Sequence, residues 1–395
     1  MGLPEGWKNT KLGDLSEVRS GGTPLKVKSE YWDGEIPWYS SGELNSQNTS
    51  APFRTITDIG LEFSSAKIFP TGSLLIGMYD TAALKMSILD RDGAFNQAIA
   101  GVKPSNKIEI RFIHYAILSQ KITILKQRRG VRQKNLNLTK VKNISIPLPP
   151  LSEQKRIVAI LDKAFVAIDK AIANTEKNLV NARELFESYL NDVFAEKGDG
   201  WEEKTLPAIS KDFGRGKSKH RPRNAPKLYG GPYPFIQTGD VRNSNHIIEE
   251  HSQTYSELGL AQSKLWPKGT ICITIAANIA ETGILNFEAC FPDSIIGIVV
   301  DETQSVNGYV EYLLQSEKAR IKKEGKGSAQ DNINMGTFKE KMFPFPVLEV
   351  QKQLVAKFDT LAEESQHLQS IYQQKLKNLK DLKQSILQKA FAGEL

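Results

Sequence analysis

Two stretches of the chain carry cations without a single acid. Between positions 110 and 152 stand Arg111, Lys121, Lys126, Arg128, Arg129, Arg132, Lys134, Lys140 and Lys142, and between 213 and 227 stand Arg215, Lys217, Lys219, Arg221, Arg223 and Lys227. Lysines and arginines spaced in this way suit a row of phosphates, because each neutralised phosphate releases condensed counterions. Gly214, Gly216, Pro222 and Pro226 make the second stretch a loop able to follow a groove.

Charge supplies affinity without sequence information, which has to come from polar side chains at base edges. Gln133 and Asn135, and again Gln330 and Asn332, stand in a G-x-x-Q-x-N-[LI]-N pattern that occurs twice. Amides can pair bidentately with adenine; they can equally satisfy the backbone of a turn. Ser40 and Ser41, with Thr238 as their counterpart, follow predicted strands, where turn formation weighs more than base contact. Tyr79 occupies a repeated position that holds Ala276 in the second half, so the two halves differ in chemistry there.

Catalytic constellations are missing. No G-x-x-x-x-G-K-[ST] phosphate loop is present, and Pro292-Asp293 lacks the nearby Glu-x-Lys of a magnesium nuclease. Pro149-Pro150 is flanked by leucines, whereas an adenine methyltransferase places an aromatic after its [NDS]-P-P box to stack the flipped base. His114, His220, His246, His251 and His367 show no metal-ligand spacing, and no metal or cofactor is expected in this chain.

What must position the basic loops is a duplication. Gly6, Trp7 and Leu12 recur as Gly200, Trp201 and Leu206, an offset of 194, and beyond position 37 the offset settles at 197. Gly130, Gln133, Asn135 and Asn137 then match Gly327, Gln330, Asn332 and Asn334, while Leu151, Gln154, Lys155, Val158 and Asp162 match Leu348, Gln351, Lys352, Val355 and Asp359. A period this long implies a domain in each copy rather than a solenoid unit. Short apolar runs at 72–78, 98–102, 269–276 and 295–300, broken by Gly, Pro, Asn and Asp, predict strands, with helices over 111–127 and 306–323.

The last quarter of each copy is different. After Pro147, Pro149 and Pro150, Ser152 offers an N-cap and helix formers run to about Ala195. Apolar positions that include Ile157, Leu161, Ile168, Leu179 and Phe186 form a coiled-coil seam, repeated after Pro346 by Leu354, Phe358, Leu361, Leu368 and Leu379, with the polar Ser365 as a weak spot. Neither helix persists alone in water, so they are expected to cover each other. The first delivers the chain to the second domain and the second starts from it, so the pair should be antiparallel, about 60 Å long and related by a pseudo-two-fold. The expected class is α+β: two similar mixed α/β domains (1–151 and 198–347) separated by two long helices (152–197 and 348–395) in an antiparallel coiled coil. Two basic readers on such a rod suit two half-sites on duplex DNA.

The 395 residues carry a net charge of +7, 40% hydrophobic residues and two cysteines, too few for a disulfide framework. The longest apolar runs fall far short of the ~20 residues of a membrane helix, and no secretory signal opens the chain. A cytoplasmic protein with no membrane partner is expected.

Leu148-Pro149-Pro150-Leu151-Ser152-Glu153-Gln154-Lys155-Arg156-Ile157-Val158, its second copy at 346–355, the ending Ala390-Phe391-Ala392-Gly393-Glu394-Leu395 and the Pro4-Glu5-Gly6-Trp7 opening together resemble the specificity subunits of type I restriction-modification systems. The resemblance spans essentially the whole chain. It implies two target-recognition domains, each reading half of a bipartite double-stranded DNA site, and helices that set the spacing and dock two modification subunits. Those subunits would bring S-adenosylmethionine and methylate adenine N6; restriction subunits, where present as a further pair, would use ATP and magnesium. The chain itself would be non-catalytic. The second copy departs from the pattern in replacing Ser152 by Glu349, which removes the helix cap. A stand-alone repeat DNA-binding adaptor and a repeat nuclease with an unrecognised site are the alternative functions.

Overall fold

The computed structural model describes residues 3–126, 136–220, 222–276, 278–325 and 335–395. The chain forms two compact units, Met1–Thr175 with Gln374–Leu395, and Glu176–Gln373. Each unit contains one mixed α/β domain, the beginning of the long helix that leaves it, and the end of the other long helix. The two long helices are Leu151–Glu196 and Leu348–Ala392.

In the first unit, Lys8–Lys11 pairs antiparallel with Ser145–Leu148 and closes the domain beside the helix start. An antiparallel sheet runs in the order Val18–Ser20, Ile99–Val102, Leu74–Gly77, Met86–Ile88, and a second sheet holds Arg54–Ile56, Trp32–Tyr39 and Ala94–Phe95, the last strand parallel to its neighbour. Leu74, Leu75, Ile76 and Gly77 are buried throughout, which is why this central strand reads as a continuous apolar run rather than an alternation.

The second unit repeats the plan. Glu202–Thr205 pairs with Met342–Phe345, and the main sheet runs Ser210–Arg215, Ile295–Val300, Ile271–Thr274, Thr282–Leu285, Ile247–Ile248. Tyr229–Phe235 pairs with Gln253–Tyr255. Even the irregularity recurs: Ile56 faces both Trp32 and Ile36, and Tyr255 faces both Tyr229 and Tyr233. Both bulges need glycine, since a Cβ on Gly34 would lie 2.7 Å from the Ile56 carbonyl oxygen and one on Gly231 2.5 Å from that of Tyr255.

Against the sheet of the first unit packs Ile110–Ser119, burying Phe112, Ile113, Ala116 and Ile117 on one stripe; Asn307–Gly325 does the same in the second with Tyr309, Val310, Leu313 and Leu314. The single helix expected over 111–127 is two, Ile110–Ser119 and Lys121–Lys126. Gln120 sits at the break, its amide donating to the carbonyls of Ala116 (3.2 Å) and Ser145 (3.0 Å).

The long helices run in opposite directions within each unit. In the first, Arg156 donates to the Leu395 carbonyl (2.5 Å) while Asp169, farther along, pairs with Lys383 (2.6 Å). In the second, Phe358 packs on Tyr189 and Phe194, and Ser365 farther along donates to the Ala182 carbonyl (2.7 Å), so the polar seam residue is satisfied by the partner backbone. Ile157, Leu161, Ile168 and Phe358 are buried, and Leu179, Phe186, Leu354, Leu361 and Leu379 are half-buried. Leu368 is 40% exposed and stands off the buried stripe. Phe165, Leu190, Phe194 and Leu387, which a strict seam omits, are buried, because each helix end packs on a domain as well as on the other helix.

Candidate nucleic-acid interface

The helix starts show how each domain is aimed. The first long helix begins at Leu151, one residue ahead of the expected cap at Ser152, and Gln154 does the tying. Gln154, buried, accepts from the Glu109 amide (2.8 Å) and donates to the Pro149 carbonyl (3.0 Å); Gln351, also buried, accepts from the Val306 amide (3.0 Å) and donates to the Pro346 carbonyl (2.8 Å). The exchange of Ser152 for Glu349 therefore leaves the second helix start intact. About two turns on, Tyr115 donates to Asp162 (2.7 Å) and Tyr312 to Asp359 (2.7 Å), fastening each domain helix to its long helix.

Beside these clamps lie two polar recesses with different charges. In the first unit Arg111, one of the nine cations of the first basic stretch, pairs with Asp162 (2.6 Å). His114 lies behind it, and burial with the Arg111 and Lys121 charges lowers its pKa to about 4. In the second unit the matching positions are Gly308 and Glu311. Glu311, fully buried, is 2.5 Å from His246 and accepts from Thr282 (2.7 Å). Burial opposes a proton on His246, but the hydrogen bond and charge of Glu311, with Asp359 behind, outweigh it and raise the pKa.

The basic loop of the second unit has a regular alternation. Arg215, Lys217 and Lys219 are exposed while the intervening Gly216 and Ser218 are buried, so an extended segment turns its cations to one side. Asp293 anchors the two ends: its carbonyl accepts from Arg215 Nε (2.6 Å) and its carboxylate pairs with Arg223 (2.8 Å). The Lys217 carbonyl accepts from Ser263 (2.8 Å) and the His220 amide donates to Gln262 (2.9 Å), leaving the backbone held and the lysine side chains exposed.

The strand-end candidates are occupied in turns. Ser40 donates to Glu43 Oε2 (2.8 Å), whose carboxylate also takes the Ser40 amide, and Ser41 starts that turn. Thr238 opens the short helix Thr238–Asn243 beneath the same kind of box, with Asp240 accepting from the Gln237 amide (2.8 Å). Tyr79 is half-buried, and the Leu136 amide donates to the neighbouring Met78 carbonyl (3.0 Å), which brings Leu136 beside it. Asn137 caps Leu138–Lys142 by accepting from the Lys140 amide (2.8 Å). Arg128, Arg129, Arg132, Gln133, Lys134, Asn135, Arg221, Gln330 and Asn332 lie outside the described residues.

Among the described residues no group of three or more His, Cys, Asp or Glu could hold a metal ion, and no helix is long and apolar enough to cross a membrane. Cys272 and Cys290 are buried free thiols, both pushed up in pKa by burial.

A duplicated mixed α/β domain, each copy joined to a long helix, defines the class of fold. The chain belongs to the type I restriction-modification DNA specificity domain family, whose model matches residues 4–182 and again 198–378. It is 22% identical over 421 residues to the type I restriction enzyme MjaIX specificity subunit of Methanocaldococcus jannaschii, covering 100% of this chain and 94% of that one. With the EcoR124I/EcoR124II specificity subunit of Escherichia coli it shares 29% identity over 199 residues, 47% of each chain. The fold matches the HsdS subunit of Thermoanaerobacter tengcongensis with a TM-score of 0.65 at 21% identity, over 100% of this chain and 99% of that one. A chain solved in work on assembly and conformational transition of the type I R-M system matches with a TM-score of 0.84, also at 21% identity and over 100% of both chains.

Proposed function

We propose that this chain is the DNA-reading, non-catalytic subunit of a type I restriction-modification complex. Each domain reads one half of a bipartite duplex target, and the paired helices set the gap between halves and dock two modification subunits. Those subunits supply S-adenosylmethionine and transfer its methyl group to adenine N6; restriction subunits, with ATP and magnesium, join the same complex in the cytoplasm. The observation that carries this reading is the double family match falling on two units built on the same plan, with Arg215, Lys217 and Lys219 aligned outward in the second.

The test is methyl transfer by the full chain with its modification subunit on duplex DNA, set beside the chain alone. Transfer only by the complex, with DNA affinity falling steeply as salt rises from 50 to 200 mM, is expected. Methylation or cleavage by the chain alone would contradict it.

A further inference from the structure

The basic loop of the second unit has a counterpart in the first that charge counting passes over. Gly216 donates its amide to the Ile295 carbonyl (2.9 Å), and Gly21 donates to the Ile99 carbonyl (3.2 Å), the matching strand. At the other end, the Tyr229 hydroxyl donates to the Arg223 carbonyl (2.7 Å), and Trp32, at the same repeat position, donates its indole N–H to the Leu25 carbonyl (3.2 Å). The Trp38 indole adds a bond to the Gly22 carbonyl (2.9 Å). Both glycines are required, since a Cβ on Gly21 would lie 1.9 Å from the Phe95 carbonyl oxygen and one on Gly216 2.1 Å from that of Phe291. Residues 22–28 therefore occupy the place that 217–220 and 222–225 occupy in the second unit.

What the first loop displays there is different. Leu25 is 61% exposed and Val27 89%, interleaved with the exposed Lys26 and Lys28. Lys28 contacts Glu30 at 3.3 Å, and Arg54 lies over the Trp32 ring at 3.7 Å, beside the exposed Phe53. The backbone is pinned by two tryptophans while two branched apolar side chains stand in water between lysines. Exposed aliphatic groups flanked by cations match the thymine face of the major groove, where a methyl group projects between phosphates.

We propose that residues 23–28 are the base-reading loop of the first domain, Leu25 and Val27 meeting thymine methyl groups and Lys26 and Lys28 holding the flanking phosphates. This rests on the DNA-reading function above. The second domain, with Lys217 and Lys219 in the same place, grips phosphates there and takes its base contacts elsewhere. The two units thus divide affinity and selectivity differently over one shared loop position.

The experiment uses the full chain with its modification subunit and begins with the methylated motif of the unaltered complex. Duplexes carrying that motif are then made with deoxyuridine for each thymidine in turn, which removes only the methyl group. A thymine methyl met by the loop should cost about fourfold in affinity when removed. L25A/V27A should abolish that loss in one half-site and leave the other half untouched. K26A/K28A should weaken binding on all sequences and lower the salt slope by about 2. The unchanged half-site reports that the chain is folded. A two-part motif in which no thymine methyl matters, or in which L25A/V27A changes neither half, would overturn the loop assignment while leaving the function standing. Loss of the modification subunit from purified L25A/V27A, with both half-sites unaltered, would overturn it in favour of a protein contact. Absence of any two-part motif would instead remove the function on which it rests.

Discussion

The Tyr312 hydroxyl donates to Asp359 Oδ1 at 2.7 Å across the junction between a domain and its long helix, and 197 positions earlier Tyr115 donates to Asp162 at the same length. Both tyrosines are buried, and burial with the neighbouring carboxylate pushes both hydroxyls well above the usual tyrosine range. Each hydroxyl keeps its proton and remains a donor at every pH at which the protein works. The pair is a fixed strut, set where a small tilt of the domain would be carried to whatever it grips.

Tyr312→Phe removes the strut without removing volume. It should cost about 1.5–3 kcal/mol, a hydrogen bond to a charged acceptor, and Tyr115→Phe should cost about as much. Denaturant unfolding of the single variants measures this. Equal midpoints for variants and parent would show that the bonds bear no load.

Gln154→Ala and Gln351→Ala should be worse. Each leaves a half-buried backbone amide and a buried proline carbonyl without that partner, at about 2–4 kcal/mol for the two groups. Hydrogen exchange at the Glu109 and Val306 amides should accelerate in the respective variant, and unchanged protection there would exclude the clamp.

The two junction histidines should respond oppositely to pH. His114 has a folded pKa of about 4 against 6.5 free, so its contribution is whole above pH 6.5 and is lost as pH falls toward 4, by no more than about 3 kcal/mol. His246 has a folded pKa above 6.5, so its contribution is whole below that pH and is lost as pH rises through the folded value. Titrating the two imidazoles by NMR checks both signs. A His114 that titrates above His246 would contradict the placement of both.

Arg215, Lys217 and Lys219 replaced together by Ala should weaken binding to every duplex alike and lower the salt slope by about 3. A change of preferred sequence without a change of slope would mean that these side chains read bases rather than phosphates.

Much of this was legible because a duplicated sequence tests itself. Gln154 and Gln351, in register at 197, look like ordinary surface amides in either copy alone; repeated, they mark a junction, and both are buried there. The strands matched their apolar runs closely because Leu74–Gly77 and Ile271–Thr274 are buried on every residue. The seam was legible only in part. Phe165 and Leu190 fall outside a strict three-four spacing, which describes a helix packed on one partner, whereas these segments pack on two. The loop at 22–28 was not legible at all, since Leu25 and Val27 interrupt its cations, and its place depends on the bond from Gly21 to the Ile99 carbonyl, far along the sequence, and on the side-chain bond from Trp32.

The most direct measurement is the map of methylated adenines in the genome of a host that carries this chain with its modification subunit. Two domains that each read half a target require a motif of two short specific segments separated by a gap of constant length, with one methylated adenine in each. A single uninterrupted motif, or segments whose separation varies from site to site, would contradict that arrangement.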